Sequence, residues 1–208
     1  GAGRADTIWS MAARALSVAA LHVYPVKSCR GIQLSSAVVG RMGIRYDRQW
    51  MIVNEQGLFV AQRGDGIGIG VPSLCLIRPS LTDTELVLTA PDMPGLRLPL
   101  AGLPGRSTTV RVWNSRMTAI DQGDLAAGWV STFIARERPG SYRLVRMPDE
   151  ERRPAKRGEA TLAFADGYPF LILSEASLAD LNNRLDEPLP MNRFRPNIVL
   201  RGCEPYEE

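Results

Sequence analysis

Residues 24–31 combine turn-forming residues with two side chains that suit an oxyanion. Pro25 fixes the backbone angle φ and Gly31 relieves crowding, which predicts a tight turn at the end of a strand. Lys27 and Ser28 would then present an ammonium group and a hydroxyl, groups with which proteins hold phosphate. A solvent-exposed loop with a single lysine is the alternative interpretation of the same residues.

Residues 43–50 place two arginines and an aspartate directly before a predicted strand. Asp47 stands where its carboxylate could orient the guanidinium of a neighbouring arginine. A purely structural aspartate–arginine pair accounts for these residues equally well. The segment is therefore a candidate anion site with an open structural alternative.

The composition argues against several classes of enzyme. The chain has 208 residues but one histidine, His22, and three widely spaced cysteines. Zinc hydrolases and Ser-His-Asp or Cys-His hydrolases are therefore hard to build, unless His22 itself is the base. An odd number of cysteines gives no disulfide framework. The formal charge is +3, and all but two of the 25 cations are arginines, whose planar guanidiniums suit phosphate.

Short strands separated by turns dominate the pattern, as in β-barrels and sandwiches. A helix is predicted behind Asp124 as its N-cap, with Leu125 on the buried face. Ser174 is predicted to cap a second helix over 175–185, with Leu185 facing inward. The predicted strands are residues 20–24, 33–39, 49–53, 58–62, 74–79, 85–89, 96–100, 109–113, 142–147, 169–173 and 197–200, of which 169–173 is expected to be buried.

Two later segments complete a set of four motifs in a fixed order. Residues 169–182 run Pro-Phe-Leu-Ile-Leu-Ser-Glu-Ala-Ser-Leu-Ala-Asp-Leu-Asn, and residues 193–203 run Arg-Phe-Arg-Pro-Asn-Ile-Val-Leu-Arg-Gly-Cys. With residues 24–31 and 43–50, they make the chain resemble the MOSC family. The resemblance is strongest to the branch of mitochondrial amidoxime reducing components and their bacterial relatives.

The resemblance implies a fold that is mostly β with α+β character. An MOSC N-terminal β-barrel-like domain is expected at residues 19–147, followed by a truncated MOSC β-barrel segment at 161–208, the N-terminal portion of that domain. Residues 148–160, which are charged and contain proline, are predicted to be a linker or mobile loop. Residues 1–18 are predicted to be an N-terminal extension that need not be native.

The resemblance also implies a molybdenum–molybdopterin cofactor, a pterin dithiolene with a phosphate tail. The family's cofactor-binding positions fall on Lys27, Ser28, Arg48, Asp166, Arg195 and Asn197 of this sequence. Cations and hydroxyls suit phosphate, while a buried aspartate or asparagine can pair with pterin nitrogens. No residue is assigned to catalysis or to the metal, because the family's cysteine ligand lies well beyond the motif at 193–197. The chain is therefore expected to lack that ligand.

In full-length form, the resemblance implies a molybdenum-cofactor-dependent oxidoreductase that reduces N-hydroxylated compounds such as amidoximes. Its electrons are expected from a flavin, haem or ferredoxin-type protein. Two alternatives stay open. Sulfur transfer, as in molybdenum cofactor sulfurases, would need a persulfide on a cysteine. A non-catalytic module that binds the cofactor would need no turnover at all.

Nucleic acid is not expected as the main partner. The basic stretch at 143–157 is interrupted by acidic residues and carries no ladder of aromatic side chains. No apolar run reaches the length of a membrane span. The bacterial cytoplasm is the predicted location, with organellar targeting as the alternative.

Overall fold

The computed structural model describes residues 15–64 and 67–208. Most of the predicted N-terminal extension therefore lies outside the described residues. Within them, the strands are β1 Ser17–Val23, β2 Ile32–Leu34, β3 Val39–Gly40, β4 Gly43–Ile44, β5 Trp50–Asn54, β6 Val60–Ala61, β7 Ile69–Gly70, β8 Arg78–Leu81, β9 Glu85–Thr89, β10 Leu96–Pro99, β11 Ser107–Val112, β12 Ser115–Asp121, β13 Tyr142–Arg146, β14 Arg153–Pro154, β15 Thr161–Leu162, β16 Ile172–Ser174 and β17 Ile198–Arg201. The α-helices are α1 Gly123–Ala135 and α2 Glu175–Asn182. The mostly β prediction with two helices is confirmed.

Strand β5 separates two hydrophobic cores. Successive side chains of a strand point to opposite faces, and β5 is apolar at every position but its last. Trp50 and Ile52 pack into one core, which includes α1. Met51 and Val53 pack into the other, with Phe164. A four-residue apolar run is therefore buried on both sides.

The first and last strands of the described chain lie side by side. One sheet has the order β16-β17-β1-β2, and β17 pairs with β1 in antiparallel register from Ser17 opposite Arg201 to Leu21 opposite Ile198. The C-terminal end of β1 therefore lies next to the N-terminal end of β17. A second sheet has the order β11-β12-β13-β5 and a third has the order β10-β9-β8.

Helix α1 is confirmed, but its start differs from the prediction. The N-cap position is Gln122, and the carboxylate of Asp121 at the end of β12 accepts the Gly123 N–H at 2.8 Å. Asp124 lies inside the first turn instead and contacts Arg143. Leu125 is 78% exposed, because the buried face is formed by the residues around Trp129.

Two predictions about strands were wrong in part. Residues 72–76 form a 3-10 turn started by Pro72, so the strand predicted at 74–79 begins only at Arg78. Leu171 and Ile172 are 41% and 39% exposed, because β16 is an edge strand rather than a buried one.

Helix α2 is capped by Ser174, as predicted, since the Ser174 side chain accepts the Ser177 N–H. The helix ends at Asn182, earlier than predicted, and Leu185 is 38% exposed. The Asn182 amide explains the early end because it bonds the backbone N–H and C=O of Leu189. A side chain that captures the chain in this way competes with helix continuation.

Residues 148–160, the predicted linker, include β14, which pairs with β15, and the buried side chain of Arg153. The division into domains stays a prediction. In the part of the chain that is described, no helix is both long and apolar enough to cross a membrane.

Candidate functional site

Strand ends bring five of the six predicted site residues to one place. Lys27 and Ser28 follow β1, Arg48 precedes β5, and Arg195 and Asn197 precede β17. Backbone hydrogen bonds tie these ends together. His22 N donates to Asn197 O at 2.8 Å, and Lys27 N donates to Trp50 O at 2.8 Å. Asp166, the sixth residue, reaches the group by pairing with Lys27.

Asp47 is the buried centre of this arrangement and is 4% exposed. Its carboxylate accepts hydrogen bonds from Tyr24 N at 2.9 Å, Asn197 Nδ2 at 3.0 Å and Arg48 Nη1 at 2.5 Å. Arg48 Nη1 also donates to Asn197 Oδ1 at 2.9 Å. The expectation that Asp47 orients a neighbouring guanidinium is met by this pair with Arg48.

Two guanidiniums pack against the ring of Tyr24. The Cζ atoms of Arg48 and Arg195 lie 4.4 and 4.3 Å from the centroid of its ring. Its hydroxyl donates to Pro196 O at 3.1 Å, and burial raises the pKa of Tyr24. Burial, and then the nearby charge of Arg48, lowers the pKa of Arg195. Arg48 is paired with Asp47, but among the described residues no carboxylate forms an ion pair with Arg195, so one of the two positive charges is not balanced.

Lys27 is 5% exposed and faces Asp166. Its Nζ donates to Phe164 O at 3.0 Å and to Asp166 Oδ1. Burial lowers the pKa of Lys27, against the charge of Asp166. Burial acts to raise the pKa of Asp166, but the charge and hydrogen bond of Lys27 prevail and hold it below its usual value. The two groups therefore form an ion pair on the exposed side of the cluster.

The backbone is left-handed at three of the predicted site residues. The φ angles are 69° at Ser28, 48° at Arg48 and 59° at Arg195. Non-glycine residues in this region cost about 1–3 kcal/mol each and persist where the surroundings hold them. Here Arg48 N donates to Tyr24 O at 2.7 Å, and Arg48 O accepts from Phe164 N at 2.9 Å. Such strain is concentrated at functional sites, which supports the prediction for these positions.

Arg153 is a supporting residue that the sequence did not reveal. It is 6% exposed, and its guanidinium donates to the backbone carbonyls of Ala163, Ala165 and Asp166. One side chain thus fixes the segment that carries Asp166. No local signal distinguishes it from the other arginines of the charged stretch around it.

Trp113 is a second residue that the sequence did not single out. It lies at the tip of the β11–β12 hairpin, and its Nε1 donates to Asp166 Oδ1 at 3.0 Å. Its ring lies 4.9 Å from that of Phe59, centroid to centroid. Asp166 therefore joins the hairpin tip to Lys27.

Cys29 and His22 lack the surroundings of reactive groups. Cys29 is fully buried, and burial raises the pKa of its thiol to about 12. Burial lowers the pKa of His22, which favours the neutral ring. Across residues 15–64 and 67–208, no three His, Cys, Asp or Glu side chains are grouped so as to hold a metal ion. The arrangement as a whole can hold an oxyanion and pair with polar groups of a planar molecule.

Known proteins resemble this chain over most of its length. Residues 15–137 match the MOSC N-terminal beta barrel domain, and residues 159–208 match the MOSC domain. Mitochondrial amidoxime-reducing component 1 of Mus musculus is 38% identical over 205 residues, which cover 92% of this chain and 57% of that protein.

Two further relatives give the same picture. Mitochondrial amidoxime-reducing component 1 of Homo sapiens is 37% identical over 92% of this chain and 58% of its own length. Mitochondrial amidoxime reducing component 2 of Bos taurus is 35% identical over the same shares. The chain spans less than three fifths of the length of these curated relatives.

Proposed function

Since the chain belongs to the MOSC family, we propose that its arginine cluster binds the phosphate-bearing pterin of a molybdenum cofactor. The protein would then be part of a reductase for N-hydroxylated compounds such as amidoximes, the activity for which its relatives are named. One observation carries the proposal. Arg48 and Arg195 are packed on the same ring of Tyr24, and Arg195 has no carboxylate partner among the described residues.

The donor set fits the tail of such a cofactor. Arg195 Nη1 donates to Cys29 O, which leaves its other guanidinium N–H groups available. Ser28 is half-buried, and its backbone is left-handed. Guanidinium groups bind phosphate through strong, charge-assisted hydrogen bonds, and a hydroxyl can add a neutral donor.

The residues divide into those that would touch the cofactor and those that would hold them. Arg48, Arg195 and Ser28 would bind the phosphate, and Asn197 would fix Arg48 through its Oδ1. Lys27, held by Asp166, would contribute a positive charge to the same anion. When bound, a molybdenum cofactor supplies two-electron chemistry that removes the oxygen of an N-hydroxyl group.

The metal ligand is proposed to come from outside these residues. Cys29 is buried with a raised pKa, which disfavours the thiolate that a metal or a persulfide requires. Electrons would come from a flavin, haem or ferredoxin-type protein, which we also infer from the family.

Cofactor content tests the proposal. The 208-residue chain and the full-length gene product are expressed in a host that makes molybdopterin, and pterin and molybdenum are measured after purification. Arg48→Ala in the full-length protein is expected to lose most of both. Arg45→Ala is the matched control, because Arg45 is exposed and stacks on Tyr46 rather than Tyr24. Pterin and molybdenum at the original level in Arg48→Ala would overturn the assignment.

A further inference from the structure

Arg146, the last residue of β13, is a buried cation held in place by packing. It is 8% exposed, and its Cζ lies 5.8 Å from the centroid of the Trp50 ring. A Cβ atom at Gly102 would lie 2.7 Å from Arg146 Cδ, so only glycine leaves room for the stem of this side chain. Burying a guanidinium costs free energy unless a partner offsets the cost. The position of Arg146 therefore favours an anion beside it.

The anion that Arg146 holds in this structure is the side chain of Asp149. Arg146 Nη2 donates to Asp149 Oδ1 at 2.9 Å, and Nε2 of Gln49 donates to the same oxygen at 3.4 Å. Gln49 is 8% exposed, whereas the Asp149 side chain is 72% exposed. Arg146 Nε is buried and has no hydrogen-bond partner among the described residues. Two buried donors thus converge on a carboxylate that the exposed segment between β13 and β14 supplies.

A pocket of about 720 Å³ is lined by these three side chains, a volume typical of sites for small molecules. Apolar side chains, including Val38 and Leu100, also line it. Three exposed arginines complete its charge, and among the described residues no carboxylate forms an ion pair with them. They are Arg41, Arg45 and Arg152. The pocket therefore combines a buried carboxylate position with an apolar surface and further positive charge.

This pocket is separate from the arginine cluster of the proposed cofactor site. The described residues that line it do not include Arg48 or Arg195. Asp47 borders the pocket, but its carboxylate accepts hydrogen bonds from Arg48 and Asn197 in the cluster. An anion in the pocket would therefore be a second ligand rather than a part of the cofactor.

We propose that the pocket binds a small dicarboxylate, one carboxylate of which displaces Asp149 from Arg146 and Gln49. The bound side chain of Asp149 shows which chemical group the two buried donors accept. The exposed arginines of the lining bind the second carboxylate, and the apolar side chains contact the carbon chain between the two. Asp149 competes with the ligand and thereby weakens its binding.

Succinate and butyrate test the site in the 208-residue chain. Their carbon chains are equally long, and butyrate has a methyl group where succinate has its second carboxylate. Binding is followed at constant ionic strength by ¹H–¹⁵N NMR of the arginine Nε–H signals. Arg146→Lys identifies the Arg146 signal. Arg143 is an internal control, because its Nε donates to Asp121 and its side chain is not among the described residues of the pocket.

Succinate is expected to shift the Arg146 signal and leave the Arg143 signal in place. Butyrate should bind roughly fivefold more weakly or worse, because it lacks the second charge. Asp149→Asn should raise the affinity for succinate about threefold to tenfold, since it removes the competing carboxylate. Asp92→Asn is the matched control and should leave the affinity unchanged. Asp92 is also exposed and pairs with an arginine, Arg136, at 3.6 Å outside the pocket.

A triple variant, R41A/R45A/R152A, tests the second carboxylate. All three changes are exposed, so the protein should fold even if Asp149→Asn does not, and the backbone amide spectrum of each variant checks this. We expect the preference for succinate over butyrate to fall to about twofold or less. An unchanged preference would overturn the assignment to dicarboxylates.

Four further results would overturn the proposal. These are no shift of Arg146 with succinate, equal affinities for succinate and butyrate, no gain in a folded Asp149→Asn variant, or an equal shift with inorganic sulfate. The last result would mean that any small anion satisfies Arg146.

Discussion

Arg48 and Arg195 lie against the same aromatic ring, with their Cζ atoms 4.4 and 4.3 Å from the centroid of Tyr24. They are 147 residues apart in the chain, yet both have left-handed backbone, and Arg48 Nη2 donates to Arg195 O just before β17. Two guanidiniums repel each other, and the ring and Asp47 offset part of that repulsion. An anion would relieve it.

Replacing the ring should weaken anion binding. Tyr24→Leu removes the aromatic face from both arginines, and each such contact is worth about 0.5–2 kcal/mol. We expect affinity for inorganic pyrophosphate, measured by calorimetry, to fall by roughly fivefold or more. Tyr24→Phe keeps the ring and should stay within about twofold, although it loses the bond to Pro196 O. Equal affinity in Tyr24→Leu and the wild type would show that the ring does not hold the arginines for binding.

The pKa of Asp166 should depend on Lys27. In the wild type it lies below the usual 3.8, because Lys27 outweighs the effect of burial. Lys27→Met should raise it, and ¹³C NMR of the Asp166 carboxyl group during a pH titration measures this. A depressed pKa means that the pair stabilises the folded protein above the unfolded-state pKa near 3.8 and loses this effect as the pH falls through the folded-state value. An Asp166 titration that is the same in both proteins would contradict the pairing.

Loss of Arg153 should destabilise the segment that carries Asp166. Arg153→Ala leaves three backbone carbonyls without their donor, and we expect the free energy of unfolding to fall by about 3 kcal/mol. Urea denaturation measures the change, and faster amide hydrogen exchange at residues 163–166 locates it. Arg152→Ala, an exposed neighbour, should cost about 0.5 kcal/mol or less. Similar losses in the two variants would argue against a specific role of Arg153.

Cys29 should resist thiol reagents in the folded protein. Burial raises its pKa to about 12, so at pH 8 only about one thiol in ten thousand is ionised. In a variant with Cys75→Ser and Cys203→Ser, Ellman's reagent should react with Cys29 only after urea is added. The wild type should react rapidly at Cys75, which is exposed. Rapid reaction of Cys29 without urea would bring back the sulfur-transfer alternative.

Local patterns predicted those elements whose neighbours in space are also neighbours in sequence. The strand at 85–89 and the Ser174 cap follow this rule, and both were found as predicted. The start of α1 was misplaced by a few residues because Asp121, at the end of a strand, serves it in place of Asp124. The exposure of residues 169–173 depends on whether β16 has a neighbouring strand on both sides. A local sequence pattern does not show this.

The site itself could be predicted only from the resemblance to a family. Spacing marked Lys27 and the Asp47 pair as candidates, but nothing in the sequence brings Arg195 to them. That requires β17 to pair with β1 across the whole chain. Arg153 and Trp113 stayed hidden for a related reason, since each contacts Asp166 from another segment, 13 and 53 residues away in the chain.

The pairing of β1 with β17 also sets the order in which the protein can fold. Asn197 and His22, which hydrogen-bond across this pair, are 175 residues apart in the chain. Closing so large a loop carries an entropic cost before any contact compensates for it, and contacts of this range slow folding. During synthesis, β1 must wait for β17 to leave the ribosome. The hydrophobic core that contains α1 can form earlier, so we expect the arginine cluster to be among the last parts of the protein to form.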